Sequence, residues 1–193
     1  MAQFDQAYKI TMVNEGGYSN NPNDHGGETW RGIARNFWGN WIGWKLIDSI
    51  KSTHPASLSK ALAANQQLEV LVLDFYKKNF WDCLCLDNIS CQQIGDQLFD
   101  IAVNMGTGTA AKFLQTAINA FANNALTVDG QVGPRTIEAA NKLSMEPLYD
   151  KINEIRKKHY ESLIAANPSQ AEFKNSWFSR IKPFETTAAG NVA

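Results

Sequence analysis

The sequence predicts a mainly α fold, a helical bundle with one short β-hairpin or irregular loop lobe just after the first helix. Two observations carry that expectation. Apolar residues recur at helical spacing along most of the 193 residues, from Phe4, Tyr8, Thr11 and Met12 to Leu148, Ile152 and Ile155. Only the stretch from Gly16 to Gly32 lacks that period, and it is crowded with turn formers: Gly-Gly, Asn-Asn-Pro-Asn-Asp and a second Gly-Gly.

The first segment reads as a helix because Phe4, Tyr8, Thr11 and Met12 stand at i, i+4, i+7 and i+8. Glu15 follows at i+11, and about 100° per residue returns it to the middle of that stripe. Its carboxylate is therefore expected along the buried face, where partial burial raises the pKa as a general acid requires. A negative charge at a helix C-terminus opposes the helix dipole, so the position has a cost that function explains better than stability. The Gly-rich stretch then folds back beside Glu15. It lacks the acidic spacing of a calcium loop, and His25 within it receives no role.

Trp30, Trp38, Trp41 and Trp44 follow, with one expected in a binding cleft and three in the core. His54-Pro55 marks a break, and Ser57 is expected to open one long helix to about Trp81, carrying Leu58, Leu62, Leu68, Leu71, Val72 and Phe75. A second half begins near Cys91. Leu98, Ile101, Ala102 and Met105 form a helical stripe ending at Gly106-Thr107-Gly108, with Asp100 and Asn104 off the stripe on a polar face. That face is read equally as a saccharide contact or as a solvated, capping surface.

The next helix carries Phe113, Leu114, Ala117, Ile118 and Phe121. Asp129-Gly130 signals a turn, and Gly133-Pro134 opens a helix with Pro at its favoured first position. On the following helix His159 continues the Leu148–Ile152–Ile155 stripe and is expected as a core histidine. A short helix around Phe173, Trp177 and Phe178 closes the fold, and the TTAAGNVA tail is expected to be disordered. The implied organisation is a catalytic region over 1–90, a helical binding region over 91–182 packed against it, and a flexible tail over 183–193.

Composition narrows function by exclusion. With 44% hydrophobic residues and 11% aromatic ones, the chain can bury a substantial core. A net charge of −1 offers no broad attraction to nucleic acid or anionic membranes. Cys83, Cys85 and Cys91 are too crowded for a disulfide framework and lack a second metal-spaced pair, so they read as small buried hydrophobes. No stretch approaches the roughly 20 apolar residues of a membrane span, and the N-terminus has no leader pattern. The expectation is synthesis in the cytoplasm and action elsewhere after release by another system.

What remains is the pair of carboxylates. Glu15 and Asp24 lie nine positions apart across a tight polar loop, NEGGYSNNPNDHGGET from Asn14 to Thr29. Two carboxylates gathered in this way are what acid/base cleavage of a glycosidic bond requires.

Several runs resemble glycoside hydrolase family 108, N-acetylmuramidases that cut peptidoglycan. They are Glu15-Gly16-Gly17-Tyr18, the Asn/Pro/Asp loop, and Gly26-Gly27-x-Thr29-x-x-Gly32-Ile33. The likeness continues through Tyr76-x4-Trp81, Leu98-Phe99-Asp100-x3-Asn104-x-Gly106 and Leu114-Gln115-x3-Asn119. Asp129-Gly130-x-x-Gly133-Pro134-x-Thr136 looks like the peptidoglycan-binding module usually paired with that family. The resemblance covers about residues 5 to 180.

It implies a lysozyme-like α+β fold with a cleft between the loop lobe and the later helices. Glu15 would protonate the glycosidic oxygen between N-acetylmuramic acid and N-acetylglucosamine. Asp24 would stabilise the oxocarbenium-like charge or activate water, as its spacing in phage-type lysozymes suggests. Thr29, one residue nearer than its usual counterpart, would help to hold that water. Asp100 and Asn104 would contact substrate, and Tyr18 would line the cleft or else staple the loop. Carboxyl groups roughly 6.5–9.5 Å apart would give inversion, and about 5–5.5 Å retention.

The resemblance implies no cofactor and no metal, a monomer acting on glycan strands, and release through a holin or a dedicated export system. Two alternatives stay open: a lytic transglycosylase, which needs no aspartate, and a non-catalytic peptidoglycan-binding or secretion-accessory protein.

Overall fold

The computed structural model describes residues 1–12, 17–20, 26–123 and 125–186. Glu15, Asp24 and His25 lie outside the described residues. The first half contains α1 (Phe4–Thr11), β1 (Tyr18–Asn20), β2 (Glu28–Trp30), β3 (Ile33–Ala34), α2 (Gly43–Ser52), α3 (Leu58–Ala63) and α4 (Gln66–Tyr76). A π-helical turn over Lys77–Trp81 and two short 3₁₀ turns lead to α5 (Gln92–Met105). Then come α6 (Thr107–Phe121), α7 (Pro134–Asn141), α8 (Met145–Ala166), a 3₁₀ turn over Pro168–Phe173 and α9 (Lys174–Ser179). The fold is mainly α with one small sheet.

α1 buries Phe4, Ala7, Tyr8 and Thr11, the stripe that the helical period marks. The Phe4 ring meets Trp81 and Phe99 edge-on, at centroid separations of 5.8 and 5.7 Å. Such pairs add packing energy beyond the area they bury, so α1 is clamped between the π turn and α5. α5 packs in turn on α6, and α6 on α8, which makes one continuous core.

The expected helix from Ser57 to Trp81 is broken. Asn65 Oδ1 accepts from the backbone N–H of Leu68 at 2.9 Å, an N-cap that starts α4 as a separate helix.

The lobe after α1 is a three-stranded antiparallel sheet in the order β1-β2-β3, one strand more than a hairpin. Tyr18 pairs Trp30, Ser19 pairs Thr29, and Asn20 pairs Glu28; on the other edge Trp30 pairs Ile33. Arg31 (φ 44°) and Gly32 (φ 78°) form the two-residue β2–β3 turn, whose left-handed positions match the sheet twist. Tyr76 donates its hydroxyl to the Arg31 carbonyl at 2.7 Å, which fixes this turn to α4.

Several expectations need correction. Only Cys91 of the three cysteines is buried; Cys83 is exposed and Cys85 half-buried. Cys83 and Cys85 lie in and beside the two 3₁₀ turns, whose buried positions are taken by Leu84 and Leu86. Trp30 and Trp44 are core residues, but Trp41 is half-buried and Trp38 remains 39% exposed, so two rather than three are packed inside. His159 is half-buried against Phe113, and Arg156 and Tyr160 take the buried positions of that turn. Residues 183–185, assigned to the tail, are held: Phe184 packs on Tyr149, and Glu185 N donates to Gln93 Oε1 at 2.8 Å. Residues 187–193 lie outside the described residues.

Candidate functional site

Strand alternation organises the β lobe. Glu28 and Trp30 point inward, and Thr29 between them points to the other face, half-buried. The Thr29 hydroxyl donates to the Gly27 carbonyl at 3.3 Å. Glu28 is 9% exposed and gathers three partners, from β1, α2 and the residue just past β3. Its Oε1 accepts from the Tyr18 hydroxyl and from Lys51 Nζ on α2, both at 2.7 Å. Its Oε2 stands 3.0 Å from Arg35 Nε. A buried carboxylate needs such compensation, and here the compensation ties β1, β2 and α2 together.

Two neighbours register this charge. Burial, and then the bond to Glu28, push the Tyr18 hydroxyl above its ordinary pKa. The bond to Glu28 raises the Lys51 ammonium, against a smaller opposing effect of burial. Tyr18, expected to line the cleft or to staple the loop, uses its hydroxyl to bind Glu28 across the lobe. Glu28 carries no signal in the motif beyond its place between Gly27 and Thr29; period-two reading of the strand would have found it.

A cleft of about 750 Å³ opens where the end of α1 meets α5, α8 and the segment after α9. Thr11 lines it from α1, Asp96, Gln97 and Asp100 from α5, Arg156 from α8, and Arg180 from just beyond α9. Volumes of this size suit a ligand rather than scattered water.

Asp100 lies in this cleft with both carboxylate oxygens engaged, Oδ2 by Arg156 at 2.5 Å and Oδ1 by Arg180 at 2.8 Å. Arg156 is only 1% exposed, and its Nε also donates to the Tyr160 hydroxyl at 3.0 Å. Asn104 is exposed, is not part of the cleft lining, and donates to the Asp100 backbone carbonyl at 2.7 Å. The two predicted contacts are neighbours on α5, but only Asp100 faces the cleft.

Asp96 adds a carboxyl that no motif flagged. Burial pushes its pKa up, while the amide of Gln92, 2.6 Å away, pulls the other way. Gln93, Asp96, Gln97 and Asp100 follow helical spacing along α5, so a polar stripe opposite the apolar one was the available signal.

In the second half, the Asp129-Gly130 turn is built around buried Gln115. Its Nε2 donates to Asp129 Oδ1 (2.7 Å) and to the Gln131 carbonyl (2.9 Å), and its Oε1 accepts from Gly130 N (3.0 Å). The bond from Gln115, and then that from the Gln131 amide, hold the Asp129 carboxyl below its ordinary pKa. Gly130 takes φ 79°, which suits glycine, and Pro134 opens α7 at its first turn.

Comparison with known proteins places this geometry. The family model described as glycosyl hydrolase 108 matches residues 8–106, and one described as a predicted peptidoglycan domain matches residues 109–182. A solved structure titled "Structure of Brucella abortus SagA" is 23% identical, with 92% of this chain and 88% of that chain covered at a TM-score of 0.64. That likeness shows a shared fold. No curated protein matches the chain. Among the described residues no helix is long and apolar enough to cross a membrane.

Proposed function

Because the chain belongs to the glycosyl hydrolase 108 family, we propose that it is an N-acetylmuramidase, cutting the β-1,4 bond between N-acetylmuramic acid and N-acetylglucosamine. The coarser statement stands on the family alone: this is a glycoside hydrolase acting on peptidoglycan, with a peptidoglycan domain following its hydrolase segment.

The observation that carries the proposal is Glu15-Gly16-Gly17-Tyr18 within the matched segment, between α1 and the β lobe. In this reading Glu15 is the general acid and Asp24 stabilises the developing positive charge or activates water. Thr29 helps to hold that water. Tyr18 and Asp100 support the site through their ties to Glu28 and to the two arginines. Asn104 offers an exposed amide at the end of α5. The enzyme acts as a monomer on glycan strands, in an endolysin-like role that a holin or a dedicated export system makes possible.

The test is clearing of purified peptidoglycan by wild type, Glu15→Gln and Asp24→Asn, with mass spectrometry of the products. Removing a general acid costs about 10²–10⁴ in rate, so Glu15→Gln should be nearly inert while its melting temperature holds. Products should carry hydrolysed reducing ends. Full lysis by Glu15→Gln would remove the acid assignment, and 1,6-anhydro ends would replace hydrolysis with transglycosylation.

A further inference from the structure

The four tryptophans between residues 30 and 44 end in different places, and Trp38 is the one left at the surface. It is 39% exposed, with Phe37 at 71% and Ile42 at 52%, all on the loop between β3 and α2. Apolar side chains gathered in this way mark a surface that meets a partner. The loop forms one side of a groove of about 530 Å³, and α4 with the turn after it forms the other, through Asp74, Phe75, Lys78 and Asn79. Among the described residues this groove shares no lining with the cleft beside α1. Tyr18, Thr29, Asp100 and Asn104 are not part of it.

The aromatic side is set by the protein itself. The Trp38 backbone N–H donates to the Ala34 carbonyl at 2.9 Å, and the Trp38 carbonyl accepts from Trp41 N at 3.0 Å and from Trp44 Nε1 at 2.9 Å. The Trp38 ring meets that of Phe75 at a centroid separation of 4.8 Å with planes at 88°. Trp41 donates Nε1 to the Leu71 carbonyl at 3.4 Å, and its six-membered ring fills the space at Gly43, where a Cβ would stand 2.3 Å from it. Phe37 is too exposed for both of its faces to be covered. Rings held in this way lose little freedom when a ligand arrives.

Polar groups beside the rings are unspent. Asn40, Asp74 and Lys78 are exposed along the groove, and their side chains form no hydrogen bond or ion pair among the described residues. Asn79 gives Nδ2 to the Phe75 carbonyl at 2.8 Å, which leaves its carboxamide oxygen to accept. Asp74 and Lys78 supply one charge of each sign. Ring faces flanked by donors and acceptors, with no net charge, complement a neutral ligand that has apolar C–H faces and hydroxyl edges. A pyranose has that surface. An anionic membrane fits less well, because Asp74 would be repelled and an interfacial anchor buries a protruding face rather than a groove.

We propose that this groove is an accessory saccharide-binding surface, on which Phe37 and Trp38 stack on pyranose rings of a glycan strand while Asn40, Asp74 and Asn79 hydrogen-bond their hydroxyls. That the strand is peptidoglycan rests on the proposed function, and the groove adds a second hold on it within the hydrolase segment.

The experiment is titration with the N-acetylglucosamine hexamer, a soluble neutral β-1,4 strand, in the Glu15→Gln background. Tryptophan emission reports the groove, because Trp38 is the only one of the six tryptophans that is exposed and the cleft beside α1 has none in its lining. The parent should give a saturable change. Phe37→Ala removes a ring that faces solvent, so its melting temperature should stay level. Uncovering roughly 50–60 Å² of apolar contact corresponds to about a tenfold loss of affinity. Asn40→Ala should cost about fivefold, the equivalent of one hydrogen bond to a neutral ligand.

No saturable change in the parent, or parental affinity in both variants, would overturn the surface. So would an emission change produced by phosphatidylglycerol vesicles and not by the hexamer, which would make the loop a membrane contact. Because no turnover is measured, the outcome is separable from the glycosidase reading. A hexamer signal lost in the variants, in a chain whose wild type never clears peptidoglycan, keeps the surface and removes the enzyme. A wild type that clears the wall while the hexamer leaves Trp38 unchanged does the reverse.

Discussion

Glu28→Gln tests whether the β lobe is positioned by its buried carboxylate. Glutamine keeps the shape and can still accept from Tyr18, but it removes the negative charge that Lys51 and Arg35 face at 2.7 and 3.0 Å. Hydrogen bonds to a charged group contribute about 1.5–3 kcal/mol each. A fully buried pair broken on one side costs about 3–5 kcal/mol. Lys51 and Arg35 keep about a third of their side-chain surface in water and can be rehydrated, which lowers the expected cost to about 2–3 kcal/mol.

For a domain of this size each kcal/mol shifts the melting temperature by about 2–4 °C, so calorimetry at pH 7 should find a fall of roughly 5–10 °C. A cycle with Lys51→Met should show non-additivity of about 1 kcal/mol, since the two groups share one bond. Peptidoglycan clearing below the melting transition should also fall, because Tyr18 and Thr29 ride on the strands that Glu28 ties to α2. A variant melting within about 1 °C of wild type and clearing wall at the same rate would refute the positioning argument.

Two further outcomes follow from α5. Burial raises the folded-state pKa of Asp96 above its ordinary value, so the folded protein holds a proton that the unfolded chain has released. Stability from this group is therefore full below the ordinary aspartate pKa and is lost as pH rises through the raised one. Asp96→Asn should flatten that limb in denaturant titrations across pH, and an unchanged profile would contradict it. Asp100→Asn strips the partner from Arg156, a guanidinium almost wholly out of water, and should cost about 3–5 kcal/mol in chemical denaturation. Were Asp100 only a saccharide contact, stability would hold and binding alone would weaken.

The helices were legible because their stripes are long and their ends are punctuated. Gly106 at φ 87° closes α5, and Pro134 opens α7 where the sequence puts them. The break between α3 and α4 was not legible, since the apolar period runs through it and only the Asn65 side chain decides the cap. At the site, the likeness to family 108 marked residues by motif, whereas the cleft is assembled by partners far apart in sequence. Arg180 reaches Asp100 across 80 positions, and Glu28 meets Lys51 across 23. Such pairings have no local signature. Asp100 was singled out for sugar contact on the strength of its polar face, and the same face is what recruits two arginines.

The position of α1 shows how the two matched segments work as one body. The N-terminus is strapped to the start of α5: Ala2 N donates to the Ile89 carbonyl at 2.8 Å, and Gln3 N donates to Gln92 Oε1 at 2.7 Å. Gln92 Nε2 returns a bond to the Gln3 carbonyl at 3.0 Å. Gly95 makes this approach possible, since a Cβ there would stand 2.6 Å from that of Ala2. The helix that leads to Glu15 is thereby aligned by α5, whose opposite side packs on α6 at the start of the peptidoglycan domain. α1 is then coupled through a single helix to the segment that matches the peptidoglycan domain, and α5 contributes Asp96, Gln97 and Asp100 to the cleft beside it. A hydrolase segment carrying α1 without a correctly seated α5 would lose both the seat of that helix and one wall of its cleft.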